Sequence, residues 1–198
     1  MGGFFGVASR TDCVADLFYG TDYHSHLGTR RGGLSTWDGH AFIRFIHDIT
    51  NAQFRGKFED DLGKLHGNLG IGVISDYEDQ PLLIGSHLGT YAIVTVGRIA
   101  NLADLAAEAT RKRSVHFAEM SLNEVNQTEL VATLINNEKS FTDGILAAQA
   151  AIDGSCSILI LTDHGIYAAR DRFGRTPIVV GRKADAWAVT FETCAFPN

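Results

Sequence analysis

The chain has 198 residues, 45% hydrophobic and 20% charged, the proportions of a folded globular protein. Its 21 glycines come with only 3 prolines and no G-X-Y period, which excludes a collagen-like or disordered chain. Acidic residues outnumber basic ones, 23 to 17, for a net charge of −6, so there is no general electrostatic attraction to nucleic acid.

In chain order, residues 3–8 read as a short buried strand, with glycines where another backbone can approach. Residues 13–26 place Val14, Leu17 and Phe18 near helical spacing, with Asp12 as the N-cap. A Gly- and Arg-rich loop follows over 27–33, then a strand over 41–49 and a charged, helical or irregular segment over 53–65. Strands are predicted at 70–75, 91–99, 155–162, 165–170, 178–181 and 186–192, with Asp163-His164-Gly165 as a hairpin signal. Helices are predicted at 101–112, 127–136 and 141–152, the last stopped by Asp153-Gly154. Strands, then helices, then strands predict an α+β fold with mainly antiparallel sheet. No linker or repeat divides the chain, so residues 1–198 are expected to be one domain.

No apolar stretch approaches the roughly 20 residues that span a bilayer, and the N-terminus has no signal-peptide pattern. Three widely spaced cysteines, Cys13, Cys156 and Cys194, point to reduced thiols in a cytoplasmic protein. Cys156 and Cys194 are expected in the core. Cys13 reads as a structural thiol, although its place at a helix start also makes it a candidate displaced nucleophile. His24-Ser25-His26 with Asp22 has metal-ligand types, but no second cluster completes a site, so a surface or loop role is expected. Arg30-Arg31-Gly32-Gly33 could hold an anion and is read as a solvated loop. Arg111-Lys112-Arg113 is read as a solvated helix end.

Five fragments carry a resemblance. GGFFGV from Gly2, DLFYGTDYHSHLGTRRGGL from Asp16, GNLGIG from Gly67, GSCSILILTDHGIYAARDRFGRTPIVVG from Gly154 and ETCAF from Glu192 occur in this order. Together they resemble the glutaminase domain of amidophosphoribosyltransferase, a class-II glutamine amidotransferase with an N-terminal nucleophile. In the most specific part, Ala169-Arg170-Asp171, Gly174 and Pro177 match the family's Arg-Asp-Pro-x-Gly-x-Arg-Pro run. Arg172 replaces its first proline and Thr176 its second arginine.

The resemblance implies a four-layer αββα sandwich of two antiparallel sheets, the N-terminal-nucleophile hydrolase fold. It implies release of ammonia from glutamine, which a second domain uses on phosphoribosyl pyrophosphate to make phosphoribosylamine for purine synthesis. The chain stops before the family's glutaminase domain is complete. It is therefore expected to be a piece of a longer protein with a C-terminal phosphoribosyltransferase-like partner domain. No cofactor, metal, nucleic-acid or membrane partner is expected, and a homo-oligomer is left open.

Such a domain needs a nucleophile at the chain start with its α-amine as base. It needs donors for the oxyanion and charged groups to hold the glutamine carboxylate and ammonium. By the same resemblance, Gly2 stands where the nucleophilic cysteine belongs and Ser75 replaces the arginine that grips the carboxylate. Val96 replaces the asparagine of the oxyanion hole, while Gly97 keeps its N–H, and Gln127 replaces the aspartate for the ammonium. Leu27 stands for a further arginine. Framework residues persist: Gly6, Gly28, Gly70, Gly72, Gly174, Glu192, and Arg170 with Asp171, which are given a structural role. The expectation is a glutaminase fold without catalytic residues, with a degenerate pocket of Gly2, Ser75, Val96, Gly97 and Gln127. Two alternatives stay open. One is a binding or regulatory module that holds a less charged ligand in the remodelled pocket. The other is a glutaminase with a relocated nucleophile at Ser9, Thr11 or Cys13.

Overall fold

A computed structural model describes residues 2–111, 117, 118, 120, 121 and 124–196; Lys112 and Arg113 of the basic run lie outside them. The elements run β1 (Gly3–Ser9), α1 (Val14–Asp22), a 3₁₀ turn (Tyr23–His26), β2 (Arg31–Trp37), β3 (Phe42–Asp48) and α2 (Phe54–Leu62). Then come β4 (Leu69–Ser75), β5 (Leu82–Ser86), β6 (Gly89–Ile99), α3 (Leu102–Arg111), β7 (Met120–Ser121) and β8 (Glu124–Val125). The last are α4 (Gln127–Ile135), α5 (Phe141–Ala151), β9 (Gly154–Leu161), β10 (Ile166–Ala169), β11 (Val179–Arg182), β12 (Ala186–Thr190) and a 3₁₀ turn (Thr193–Ala195).

Strand alternation builds the layers. One sheet has the order β11-β12-β1-β4-β2-β3 and the other β10-β9-β6-β5, with β7 and β8 as a separate pair; the ladders are antiparallel. Along β1, Phe5 and Val7 face the core under α1 and α2, while Phe4 faces the other sheet. In β9, Cys156, Ile158 and Ile160 face the core under α4 and α5, while Leu159 and Leu161 face inward. Three cores therefore separate four layers, and the αββα expectation holds. Gly70 and Gly72 of β4 lie beneath α1: a Cβ at Gly70 would stand 2.7 Å from the Leu17 side chain and one at Gly72 would fall inside the Thr21 hydroxyl, so these glycines set how closely the helix seats.

The helix starts on the second sheet are written in the sequence. Asn126 Oδ1 accepts from Glu129 N–H at 3.0 Å. Ser140 accepts from Asp143 N–H at 3.1 Å and donates to its carboxylate at 2.7 Å, a reciprocal cap.

Several expectations are corrected. Residues 31–33 are not a solvated loop but the start of β2, held between β3 and β4. Gly32 lies under Phe54 and Phe58, and Arg31 is ion-paired with Asp48 and, at 2.7 Å, with Asp79, so no arginine pair is left for an anion. The first helix ends at Asp22 and its cap position is Cys13, not Asp12. Asp12 instead accepts from Val14 N–H and from Gly67 N–H, both at 3.0 Å, tying the helix start to the approach to β4. Strands β5, β7 and β8 had no sequence signal. Among the described residues no helix is long and apolar enough to cross a membrane.

Candidate functional site

Four elements converge at one end of the sandwich. There β4 ends at Ser75, β1 begins just after Gly2, α4 begins after Asn126, and β6 passes through Val96 and Gly97. The segment 76–81 joins them from within. Ser75 Oγ accepts from the N–H groups of Tyr77 and Glu78 at 3.3 and 3.2 Å, turning the chain inward. Glu78, only 5% exposed, then reaches the start of α4. Its carboxylate accepts from Gln127 N–H at 2.5 Å, Thr128 N–H at 3.3 Å and the Thr128 hydroxyl at 2.8 Å. Burial pushes this carboxyl above the ordinary glutamate range, although these donors pull it back.

Gln80 completes the connection to β6. Its Oε1 accepts from Thr95 N–H at 2.7 Å, and its Nε2 donates to Thr95 O at 3.1 Å and to Glu78 at 3.4 Å. Because the Thr128 hydroxyl donates to Glu78, the Thr95 hydroxyl must donate to Thr128, over 2.6 Å. The predicted residues thus divide. Ser75 and Gln127 meet through Glu78, but the Gln127 side chain is turned to β6, where Oε1 accepts from Ile99 N–H at 3.0 Å. Val96 turns its side chain into the core between the sheets, and Gly97 is paired with Cys156 in the β6–β9 ladder.

Gly2 is hemmed in by backbone. A Cβ placed on it would fall inside the carbonyl oxygen of Ile74 and 3.4 Å from Ser75 Cα. Asp171, by contrast, is surrounded by hydrogen-bond donors. It lies beyond β10, is 2% exposed, and its carboxylate accepts from Phe173 N–H, Thr176 N–H and the Thr176 hydroxyl at 2.9–3.1 Å. Its own N–H donates to Ser157 Oγ at 3.2 Å, and Ser157 is the ladder partner of Val96. Arg170 is exposed, its guanidinium lying over Gly174.

The relocated-nucleophile candidates are at the wrong end. Ser9 closes the seven-residue β1 that Gly3 opens, about 20 Å from Gly2 at strand rise. Ser9 Oγ accepts from Thr11 N–H at 3.1 Å, and the Thr11 hydroxyl donates to Asp185 at 3.2 Å. Cys13 is fully buried; burial first, then the Asp12 charge, push its thiol up to about 12. Burial does the same to Cys156, also to about 12. Cys194, expected in the core, is exposed, because it lies on the 3₁₀ turn that follows β12 rather than in the strand. A thiol reagent at neutral pH is therefore expected to label one of the three cysteines in the folded protein and all three after denaturation. Rapid native labelling of Cys13 would contradict this.

His24 is not on the surface but fully buried, because the 3₁₀ turn folds it against β1 and β12. Its Nδ1–H donates to Gly20 O at 2.9 Å and Nε2 accepts from the Thr190 hydroxyl at 3.0 Å, while burial lowers its pKa. His26 is exposed, and the described residues contain no cluster of three metal-capable side chains. A cavity of about 670 Å³ lies at the opposite end of the same strands, lined by residues such as Trp37, Phe42, Thr90 and His164. None of the five predicted pocket residues lines it.

Sequence reasoning missed Glu78, Gln80 and Thr95. One acid among the three of the run Asp76-Tyr77-Glu78-Asp79 carries no periodic signal, and only the packing of β6 against α4 reveals it.

The family model of the glutamine amidotransferase domain matches residues 66–197. The amidophosphoribosyltransferase of Bacillus subtilis (strain 168) is 28% identical over 207 residues, covering 98% of this chain and 41% of that protein. The Methanocaldococcus jannaschii amidophosphoribosyltransferase is 27% identical, over 98% of this chain and 43% of its own length. The solved B. subtilis glutamine phosphoribosylpyrophosphate amidotransferase, complexed with ADP and GMP, superposes with a TM-score of 0.85 at 25% identity, over 98% of this chain and 42% of that one. The chain thus spans about two fifths of the length of the curated relatives it matches. Two antiparallel sheets between helical layers, and these matches, make the chain a member of the glutamine amidotransferase domain family, similar in sequence and fold to the N-terminal domain of amidophosphoribosyltransferase.

Proposed function

We propose that this chain is the glutamine amidotransferase-like part of a longer amidophosphoribosyltransferase-like protein, and that its pocket does not hydrolyse glutamine. One observation carries the second half: residue 2 has no side chain, and the Ile74 carbonyl stands where a nucleophile's Cβ would be. The surroundings support it. Ser75 and Gln127 carry no charge to grip an amino acid, and the Ser75 Oγ and Gln127 Oε1 both accept hydrogen bonds from the backbone. Val96 offers no donor for an oxyanion.

The relatives' remaining length is the basis for proposing a phosphoribosyltransferase-like partner domain, which this domain would stabilise or gate, or which would use free ammonia. The three free thiols agree with a reducing, cytoplasmic setting. The alternative of a ligand-binding module in the remodelled pocket is disfavoured by the buried Glu78 carboxylate, which already takes the Gln127 and Thr128 N–H groups. The purified domain is expected to release no glutamate from glutamine above the uncatalysed rate. Sustained release at a rate proportional to protein concentration would remove the reading.

A further inference from the structure

The two sheets of the sandwich differ in width. The narrower one ends at β10, which lies over β1: Ile166 Cδ1 stands 3.5 Å from where a Gly6 Cβ would be. Strand β11 therefore overhangs. On the inner face Val189 of β12 is buried between the sheets, but its ladder partner Val180 is 61% exposed. The next pair on this face is Arg182 and Trp187. The indole is 54% exposed, and the guanidinium lies 5.2 Å from its ring centroid. β11 is also the edge of its sheet, so the backbone groups along one side have no ladder partner. Edge strands are commonly blunted by lysine or proline, and Val179–Arg182 contains neither.

The loop that enters β11 prolongs this strip. Phe173 is 58% exposed, and the Arg172 and Arg175 guanidinium groups lie 5.1 and 5.7 Å from its ring centroid. The buried Asp171 carboxylate takes the loop's N–H groups and so holds its shape from beneath. Among the described residues no carboxylate lies within ion-pair distance of Arg172, Arg175 or Arg182. The acids at the far end are engaged: Asp16 pairs with Lys183 at 2.6 Å, and Asp185 accepts from the Thr11 hydroxyl at 3.2 Å. Unpaired arginines on a chain of net charge −6, interleaved with exposed Phe173, Val180 and Trp187, have the composition of an interface core rather than of a solvated edge.

We propose that this strip binds an acidic, extended segment of a partner protein, which adds to β11 as a further strand and sets its carboxylates against Arg182 at one end and Arg172 and Arg175 at the other. Main-chain hydrogen bonds supply affinity, and alternate side chains supply specificity. A second copy of this chain does not fit. Pairing β11 with β11 brings like charges together. The other edge strands of the two sheets, β3, β5 and β10, offer one acid, Asp48, which is already paired with Arg31. Nucleic acid fits less well, because the chain's overall charge repels a long polyanion.

The probe is the fluorescein-labelled peptide Glu-Thr-Val-Thr-Glu, whose glutamates and valine share one face of a strand. Fluorescence anisotropy at about 50 mM salt should show saturable binding with a Kd of about 100 μM, weakened about fivefold at about 500 mM salt. Arg182→Glu, and Arg172→Glu together with Arg175→Glu, should each weaken binding about tenfold. Lys-Thr-Val-Thr-Lys should not bind. The glutamate peptide N-methylated throughout keeps its charges but loses its main-chain donors, and should also bind about tenfold more weakly.

The proposal is overturned if the labelled peptide does not bind, if the lysine or the N-methylated peptide binds as well, or if the arginine variants keep the parent's affinity. Displacement of the peptide by a short oligouridylate at equal concentration would assign the strip to nucleic acid and overturn it too. Should a variant fail to fold, the three peptides measured against the parent protein decide the matter.

Discussion

Asp171→Ala is expected to cost about 4 kcal/mol of stability, since it removes hydrogen bonds to a charged group worth roughly 1.5–3 kcal/mol each, which are not additive. The carboxylate gathers Phe173 N–H, Thr176 N–H and the Thr176 hydroxyl, and Gly174 N–H donates to the Asp171 carbonyl at 3.0 Å. The chain of donors is closed: the Thr176 hydroxyl serves Asp171, so the Ser157 hydroxyl donates to Thr176 over 2.6 Å, and Ser157 accepts from Asp171 N–H. Alanine leaves these donors without an acceptor in a site with little water. Asp171→Asn keeps the shape and one acceptor oxygen but turns an N–H₂ toward donors, and should cost about 2 kcal/mol.

The measurement is the urea midpoint at constant m-value. An alanine variant within about 1 kcal/mol of the parent would show that the loop does not depend on this residue. The sign with pH is fixed as well. Burial raises the Asp171 pKa, but the donors outweigh it and the net shift is downward. Its contribution is thus present above the unfolded carboxylate pKa and lost as pH falls through the folded value. Glu78 acts in the opposite sense. Its raised folded pKa favours the fold below the unfolded value, and that advantage is lost as pH rises through the folded one.

Gly33→Ala is expected to be nearly as damaging, at about 3 kcal/mol, the upper end of ordinary overpacking. Gly33 lies in β2, between β3 and β4. A Cβ there would fall inside the Gln80 carbonyl oxygen and 2.7 Å from both Gln80 C and Pro81 Cδ. Neither side can yield cheaply. The strand is paired along both edges, and Gln80 is tied to Thr95 by two hydrogen bonds. The substitution therefore pushes directly on the segment that carries Glu78. Gly85→Ala is the control: it sits on exposed β5 with nothing within 4 Å of a Cβ, so its effect should stay within about 0.5 kcal/mol. Equal urea midpoints for the two variants would contradict the close approach of β2 to Gln80.

The same segment marks the boundary of what the sequence discloses. Strands with apolar residues on both faces, such as Gly-Ile-Gly-Val-Ile-Ser and Ser-Ile-Leu-Ile-Leu, are legible because each is buried on both sides. Helices α4 and α5 are legible through Asn126 and Ser140. β2 is not, because Arg-Gly-Gly at its start carries turn chemistry; those glycines are there for Phe54 and for Gln80, which only the packed fold supplies. Cys194 and His24 were misplaced for a related reason: a 3₁₀ turn decides their exposure, and it leaves little trace in periodicity. At the site, the resemblance points to Gly2, Ser75 and Gln127, but the side chain that links Ser75 to the start of α4 is Glu78, which no motif announces.

Glutamate release by a Gly2→Cys variant whose chain starts at that cysteine, measured beside the parent protein, decides whether the pocket itself is unable to hydrolyse glutamine. No release is expected from either, because the new side chain meets the Ile74 carbonyl and Glu78 still occupies the start of α4. Release by the variant would mean that β4 yields and that Gly2 alone silenced the site, and release by the parent would mean that a nucleophile acts elsewhere in the chain.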